Sequence, residues 1–475
     1  MNEAGSNRPS EVAQLRHLLE SPQRGLNICS ISGPGGVGKS FLLSHVLADF
    51  ELGAAGYVHL SVNAANIEAR SDFFAVLEQL FRRSLPPPAD PKKDYFPHLR
   101  RVAQLHREVI ERASAELKKS GVPDLVRDSV LALLKAGHVL NAAVPNGSRH
   151  LKVASGRLTG WLGAAAKVGQ VALQGAQALD EEDVERALDF AWKQARELKS
   201  LTEGVGRLRQ ILGFADQDRV RRELFAFTAE QLVTDLSAAI GGYQAKDRLT
   251  FLHGQIDGAK RLLLVIDDYE ILSPLLSEFL VGAFVPRLAA AGFDTVMVVL
   301  CRDDLEATHE GWAQHSKQYL RPPVKLSAFD EPTATQLLAQ AGVPEERRRA
   351  LYEATQGYPF LLTLAIEEAG AAGADSALFL RKFFDRTTRW MSPREREWFE
   401  RICYLERVDE DTLGPLFPGE DVGKIVDWFE REPSIRDPST AFWRVRPLVR
   451  EKVLRYLEVR APSKHRERLA LAGSR

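Results

Sequence analysis

Thirteen residues near the start, ISGPGGVGKSFLL (Ile31–Leu43), constrain the fold more than any other stretch. They set four glycines around one lysine and fit Gly-x-x-x-x-Gly-Lys-Ser as Gly33, Gly38, Lys39 and Ser40. Glycines lack Cβ, so successive backbone N–H groups can turn inward on a phosphate chain. Gly35, Gly36, Val37 and Gly38 are the candidate backbone donors, with Phe41 continuing the contact. Lys39 supplies a point charge for the terminal phosphates and Ser40 a hydroxyl for Mg2+. The flanks fit this reading. LNICSIS (Leu26–Ser32) alternates like a short buried strand, and KSFLLSHVLADF (Lys39–Phe50) has apolar residues at helical spacing. A triphosphate would sit at a helix N-terminus, where free N–H groups and the helix dipole favour anions.

A second element lies more than 220 residues downstream. KRLLLVIDDYEIL (Lys260–Leu272) is an apolar run closed by carboxylates, the pattern of a buried parallel strand with acids at its C-terminal edge. Open α/β sheets bind ligands at that edge. Asp267 is the candidate Mg2+ ligand, and Asp268 the acid that orients or deprotonates the attacking water, with Glu270 as its rival. FDTVMVVLCRDDL (Phe293–Leu305) again runs from apolar residues into charge, at Arg302, a cation placed to reach a γ-phosphate. PVKLSAF (Pro323–Phe329) is a further strand ahead of the helix EPTATQLLAQAG. Strands alternating with helices predict a parallel sheet covered on both faces.

Composition narrows the class. Lys and Arg number 63 against 64 acids, so a net charge of −1 gives no global pull towards nucleic acid or anionic membrane. Three cysteines, Cys29, Cys301 and Cys403, have no metal-ligand spacing and read as small apolar residues in a reducing compartment. No signal core or uncharged apolar run of membrane-spanning length is seen, so a soluble cytoplasmic protein is expected.

The order of the Lys39 loop, LLLVIDDYE, VVLCRDD, VKLSAFDEPTATQLL and TQGYPFLL (Thr355–Leu362) resembles the STAND ATPases. These are signal-transduction relatives of the AAA+ class, among them bacterial transcriptional activators and plant and animal immune receptors. The resemblance implies a P-loop NTPase core, a helical lid whose Gly-x-Pro (Gly357, Tyr358, Pro359) touches the adenine, and an Arg-x-x-Glu pair near the base (Arg8, Glu11). It also implies a winged helix at AFWRVRPLVREKVL (Ala441–Leu454), with Arg446 where the family usually has a phosphate-sensing histidine. Implied cofactors are ATP or ADP with Mg2+, and the implied activity is slow ATP hydrolysis driving a conformational switch. A protein partner or nucleotide-dependent homo-oligomer goes with it.

The expected domains are a first part of the ATPase core at 1–85, a helical insert at 86–219, the second core part at 220–330, the lid at 331–390 and the winged helix at 391–475. The proline-rich stretch Phe81–Pro97 reads as an exit from the core and Val220–Leu236 as the returning helix, so deleting 90–220 is expected to leave a folded ATPase. Within the insert, 129–179 contains no Asp or Glu, and Leu158, Trp161, Leu162, Ala165 and Val168 share one helical face. Helix packing, a partner groove and a membrane surface are alternative uses of that face. The C-terminal stretch 444–475 carries ten Lys or Arg against three acids, which keeps DNA binding through the winged helix open. An initiator-type AAA+ protein on DNA, with Arg321 as an arginine finger, is one alternative function. A nucleotide-binding scaffold with little turnover is the other.

Overall fold

The computed structural model describes residues 7–64, 72–104, 107, 111, 217–241, 252–315, 317–370, 377–388, 391, 393–432, 434–437, 440 and 442–473. Most of the expected insert, including the acid-free stretch 129–179 and its amphipathic face, lies outside the described residues.

Five strands, β1 (Leu26–Ser32), β2 (Tyr57–Asn63), β3 (Arg261–Asp267), β4 (Asp294–Cys301) and β5 (Val324–Lys325), form one sheet in the order β2-β3-β4-β1-β5. Every pairing is parallel, as the alternation of strands and helices predicts. The register places Ser32 beside Cys301 and Asn63 beside Asp267, so the ends of β1, β2, β3 and β4 line up along one edge. β1 is flanked by β4 and β5 while the chain leaving it crosses to β2 at the far edge. Connections diverge there, which opens a crevice above the C-terminal end of β1.

Both sheet faces are covered, so the strands are apolar without a break. Successive side chains point to opposite faces. Cys29, Ile31, Leu263, Val265, Val296 and Val298 therefore pack with Leu15 and Leu19 of α1 (Pro9–Glu20) and Leu42 and Val46 of α2 (Lys39–Asp49). Ile28, Leu262, Leu264, Ile266, Met297 and Val299 pack on the opposite face with helices from 73–82, 225–240 and 269–288. The run Tyr269–Ala289 is long and apolar enough to cross a membrane, but Leu272, Leu276, Phe279 and Phe284 are buried in this core. Pro286 has no N–H to give, and the turn ahead of it, Leu280–Phe284, widens into a π-helix.

The proline-rich stretch is not a simple exit from the core. Phe81 and Phe96 are both buried, with ring centroids 5.8 Å apart, and Leu99, Val102 and Ala103 continue into the same cluster. Pro97 starts the helical residues 97–104, where its missing N–H is no loss. The core thus extends beyond residue 86, the expected start of the insert. The helix Gln217–Gly241 returns as predicted, laying Phe225, Ala229, Leu232, Leu236 and Ile240 on the sheet side.

Beyond β5 the chain is helical. Phe329, Ala334, Leu338, Val343 and Leu362 form a small lid core. A larger cluster runs from Tyr358 through Phe383, Phe384 and Phe399 to Leu457. The helix Pro359–Gly370 gives Leu362 to the first and Leu361 and Leu364 to the second, so it ties the two together. This packing does not divide at residue 390. Besides helices, the described part of the C-terminal region has one antiparallel bridge, between Arg436 and Val445.

Candidate nucleotide site

The glycine loop spans the gap between β1 and α2. Lys39 is the first residue of α2, capped by Gly38 at φ 99°. Its Nζ donates to the carbonyls of Gly33 at 2.6 Å and Pro34 at 3.1 Å, so the ammonium lies within the loop. Burial lowers its pKa, opposed by the negative charge of Glu270. Val37 is part of the core against α2, and Phe41 stacks on His45 of its own helix.

The two elements of the motif meet directly. Ser40 Oγ donates to Asp267 Oδ2 at 2.7 Å, across 227 positions of sequence. Asn63 Nδ2 donates to the same oxygen at 2.8 Å, and the Asp268 N–H donates to Oδ1 at 2.9 Å. Nothing in the motifs marks Asn63. Its signal was its place at the end of β2, in register with Asp267.

Past Asp267 the chain turns sharply. Asp268 has φ 53°, a left-handed conformation uncommon outside glycine, and caps the helix Tyr269–Phe279. That turn swings Glu270 to the site. Glu270 Oε1 lies 3.3 Å from Arg302 Nε, and Oε2 is buried without a hydrogen-bond partner. Burial raises the Glu270 pKa, with Lys39 and Arg302 pulling the other way. Arg302 stands at the end of β4 as expected, and also pairs with Glu432 of the C-terminal region. Burial by itself lowers the pKa of the guanidinium, but Glu432 and Glu270 outweigh it and leave the charge secured.

The lid sits on the loop. The Phe360 N–H donates to Gly36 O at 3.3 Å, and a Cβ on Gly36 would lie 2.6 Å from the Phe360 ring. Only glycine allows this approach. Pro359 starts the helix that carries Phe360. Arg8 is buried beside the loop, donating to Ser327 O at 2.6 Å and Val37 O at 3.3 Å, with its guanidinium 4.6 Å from the Phe329 ring centroid. Glu11 lies 3.7 Å away, so the two residues of the Arg-x-x-Glu match form an ion pair. Arg446 meets the lid: it lies 5.3 Å from the Tyr358 ring centroid and donates to Thr355 O at 3.4 Å. Arg321 donates to Asn27 Oδ1 at 2.8 Å.

The donor set fits a magnesium nucleotide. Ser40 and Asp267 offer oxygen ligands side by side, no lysine or arginine among the described residues pairs with Asp267, and Glu270 Oε2 remains an open acceptor.

The AAA ATPase domain family matches the sequence over residues 7–284. No curated protein matches the chain. Among solved structures, the Orc1 protein of Aeropyrum pernix in complex with DNA is similar at 11% identity, over 97% of this chain and 94% of that one, with a TM-score of 0.36.

Proposed function

Because the chain belongs to the AAA ATPase domain family, we propose that it is an ATP-binding, slowly hydrolysing switch of the STAND type, whose lid covers the nucleotide and whose C-terminal region closes over it in the ADP state. The observation that carries this reading is the position of Arg302, which joins Glu270 at the phosphate edge to Glu432 of the C-terminal region. A γ-phosphate arriving near Arg302 competes with both carboxylates for the same cation. Loss of the Glu432 pair frees the C-terminal region, and hydrolysis allows it to form again.

Bound Mg2+ would supply Lewis-acid stabilisation of the charge on the transferring phosphoryl group. Ser40 and Asp267 would hold the metal, while Lys39 and the N–H groups from Gly35 to Gly38 would hold the phosphates. Glu270 is the acid we assign to the attacking water. Burial raises its pKa and so makes its carboxylate a stronger proton acceptor than an exposed glutamate, and it is the acid that contacts Arg302. Asp268 instead makes the turn that positions it. Arg8 and Pro359 flank the base.

The switch reading is favoured over a DNA-bound motor by how the basic C-terminal residues are used. Arg460 and Arg468 both pair with Glu400, and Arg450 donates to Cys403 O at 3.0 Å. Measuring particle size and ATP turnover with ADP and with a non-hydrolysable ATP analogue tests the proposal. The analogue should enlarge or assemble the protein relative to ADP, and turnover should be slow. Identical size in both states would defeat the switch, and salt-sensitive DNA binding that stimulates turnover would favour the initiator-type alternative.

A further inference from the structure

Away from the nucleotide edge, three residues distant in sequence converge on one buried point. Asp235, on the helix Gln217–Gly241, has a side chain with 0% exposure. His98 and His253 are 4% and 6% exposed. His98 Nδ1 lies 2.7 Å from Asp235 Oδ1, and His253 Nε2 lies 2.9 Å from the same oxygen. All three ligand atoms are within 4.8 Å of one another, and the imidazole centroids are 5.0 Å apart.

The surrounding backbone fixes this geometry. Asp235 Oδ2 accepts the Leu99 N–H at 2.9 Å, which sets the carboxylate plane and turns Oδ1 towards the imidazoles. Asp94 clamps the strand of chain that bears His253, donating to Leu252 O and accepting from the Gly254 N–H, both at 2.8 Å. Oδ1 also receives the His98 N–H at 3.3 Å, so three nitrogen atoms crowd one oxygen. No lysine or arginine among the described residues neutralises Asp235. A buried carboxylate without a cation is costly, and two imidazoles aimed at it are the remaining donors. His253 Nδ1 is buried without a hydrogen-bond partner, so the Nε2 proton bridges to Asp235, and Zn2+ would displace that proton.

We propose that His98, Asp235 and His253 form a structural zinc site. Two imidazole nitrogens and one carboxylate oxygen suit Zn2+, and the ion supplies the positive charge that the buried Asp235 lacks. Zinc bonds of about 2.0–2.1 Å in tetrahedral geometry separate ligand atoms by about 3.4 Å. The two N···O distances would open by about 0.5–0.7 Å, and the two imidazole nitrogens, now within 4.8 Å of each other, would settle at about the same separation. The burial of all three side chains keeps the ion from any substrate, so it would act as a staple, with a water completing the four-coordinate shell. It joins the helical residues 97–104, the helix Gln217–Gly241 and the segment at 252–254, so zinc would lock these three separate pieces of chain onto one another.

The test uses the full chain. Chelator-treated protein is titrated with Zn2+ by calorimetry, and thermal unfolding is followed with and without the metal. One equivalent should bind. Zn2+ at a hundred times its Kd should lower the unfolding constant about 100-fold. His253→Gln should lose that equivalent and the thermal shift while retaining ATP binding, which keeps this result independent of the nucleotide site. Co2+ in place of Zn2+ should give tetrahedral d–d absorption that His98→Gln and His253→Gln both abolish, a readout that requires only that one variant folds. Absence of a stoichiometric site in the wild type, or equal Zn2+ binding by His253→Gln, would overturn the proposal and leave a hydrogen-bonded His–Asp–His cluster.

Discussion

Arg302, at the C-terminal end of β4, is ion-paired with Glu432, 130 residues further along the chain. The Glu432 side chain is 3% exposed and that of Arg302 is 20% exposed, so the pair bridges the nucleotide edge and the C-terminal region largely out of water. Removing one partner of a buried pair costs about 3–5 kcal/mol when a charge is stranded. Arg302→Ala removes the cation shared by Glu432 and Glu270 and should therefore destabilise the protein more than Glu432→Gln, which leaves Arg302 with Glu270. Urea denaturation of both variants and the double mutant measures the difference. Glu432→Gln should also speed ADP release, and unchanged release would sink the clamp.

Lys39→Ala deletes the cation enclosed by the loop. A charged hydrogen-bonding group of this kind is worth about 1.5–3 kcal/mol, so ATP affinity should fall on the order of 10–100-fold. Asp267→Asn should weaken binding only when Mg2+ is present. Calorimetry with and without Mg2+ separates the two, and undiminished binding by folded Lys39→Ala would refute the site.

Glu270→Gln should stop hydrolysis while sparing ATP binding, and Asp268→Asn should retain turnover. Because burial raises the Glu270 pKa, the acid limb of the wild-type rate profile should lie above the ordinary carboxylate range of about 4.3. The stability linkage runs in the same direction. A raised pKa means the folded state favours the protonated acid, a contribution present at low pH and lost as pH rises through the folded value. Glu270→Gln should flatten that dependence in thermal melts. If Asp268→Asn is the inactive variant, the assignment of the base is reversed.

Gly357→Ala tests the lid. Gly357 has φ +68°, and an added Cβ would lie 1.9 Å from Phe329 O, a backbone atom that cannot step aside. Its own carbonyl accepts the Phe329 N–H at 2.9 Å, so the contact also carries the junction between β5 and the lid. The substitution should cost more than about 1 kcal/mol and weaken nucleotide retention. A wild-type melting temperature would show the lid to be more plastic than this packing allows.

Deletion boundaries follow from the packing. Removing 90–220 takes away Phe96, Leu99 and Val102 from the main cluster, and the product is expected to unfold. Removing 112–216 and joining the ends with a flexible linker spares every described buried residue of that cluster and should leave ATP binding intact. Cooperative melting of the two deletions, followed by circular dichroism, distinguishes them.

Much of the nucleotide edge was legible because its chemistry is local. The glycine loop, Lys39 and Ser40 work through backbone geometry that a dozen consecutive residues determine, and apolar strands covered on both faces reveal themselves as unbroken runs. Strand-end residues such as Asp267 and Arg302 inherit their place from those runs. The positions of Asn63 and Glu432 and the approach of Glu270 to Arg302 depend on register, on a left-handed turn and on a region folding back from 130 residues away. The same holds for Phe96, read as part of an exit yet buried against Phe81, and for His98, Asp235 and His253. Sequence specified which residues could bind phosphate, since that needs only neighbours along the chain. Tertiary structure decided which charges face one another, since electrostatic partnership depends on distance in space and on exclusion of water.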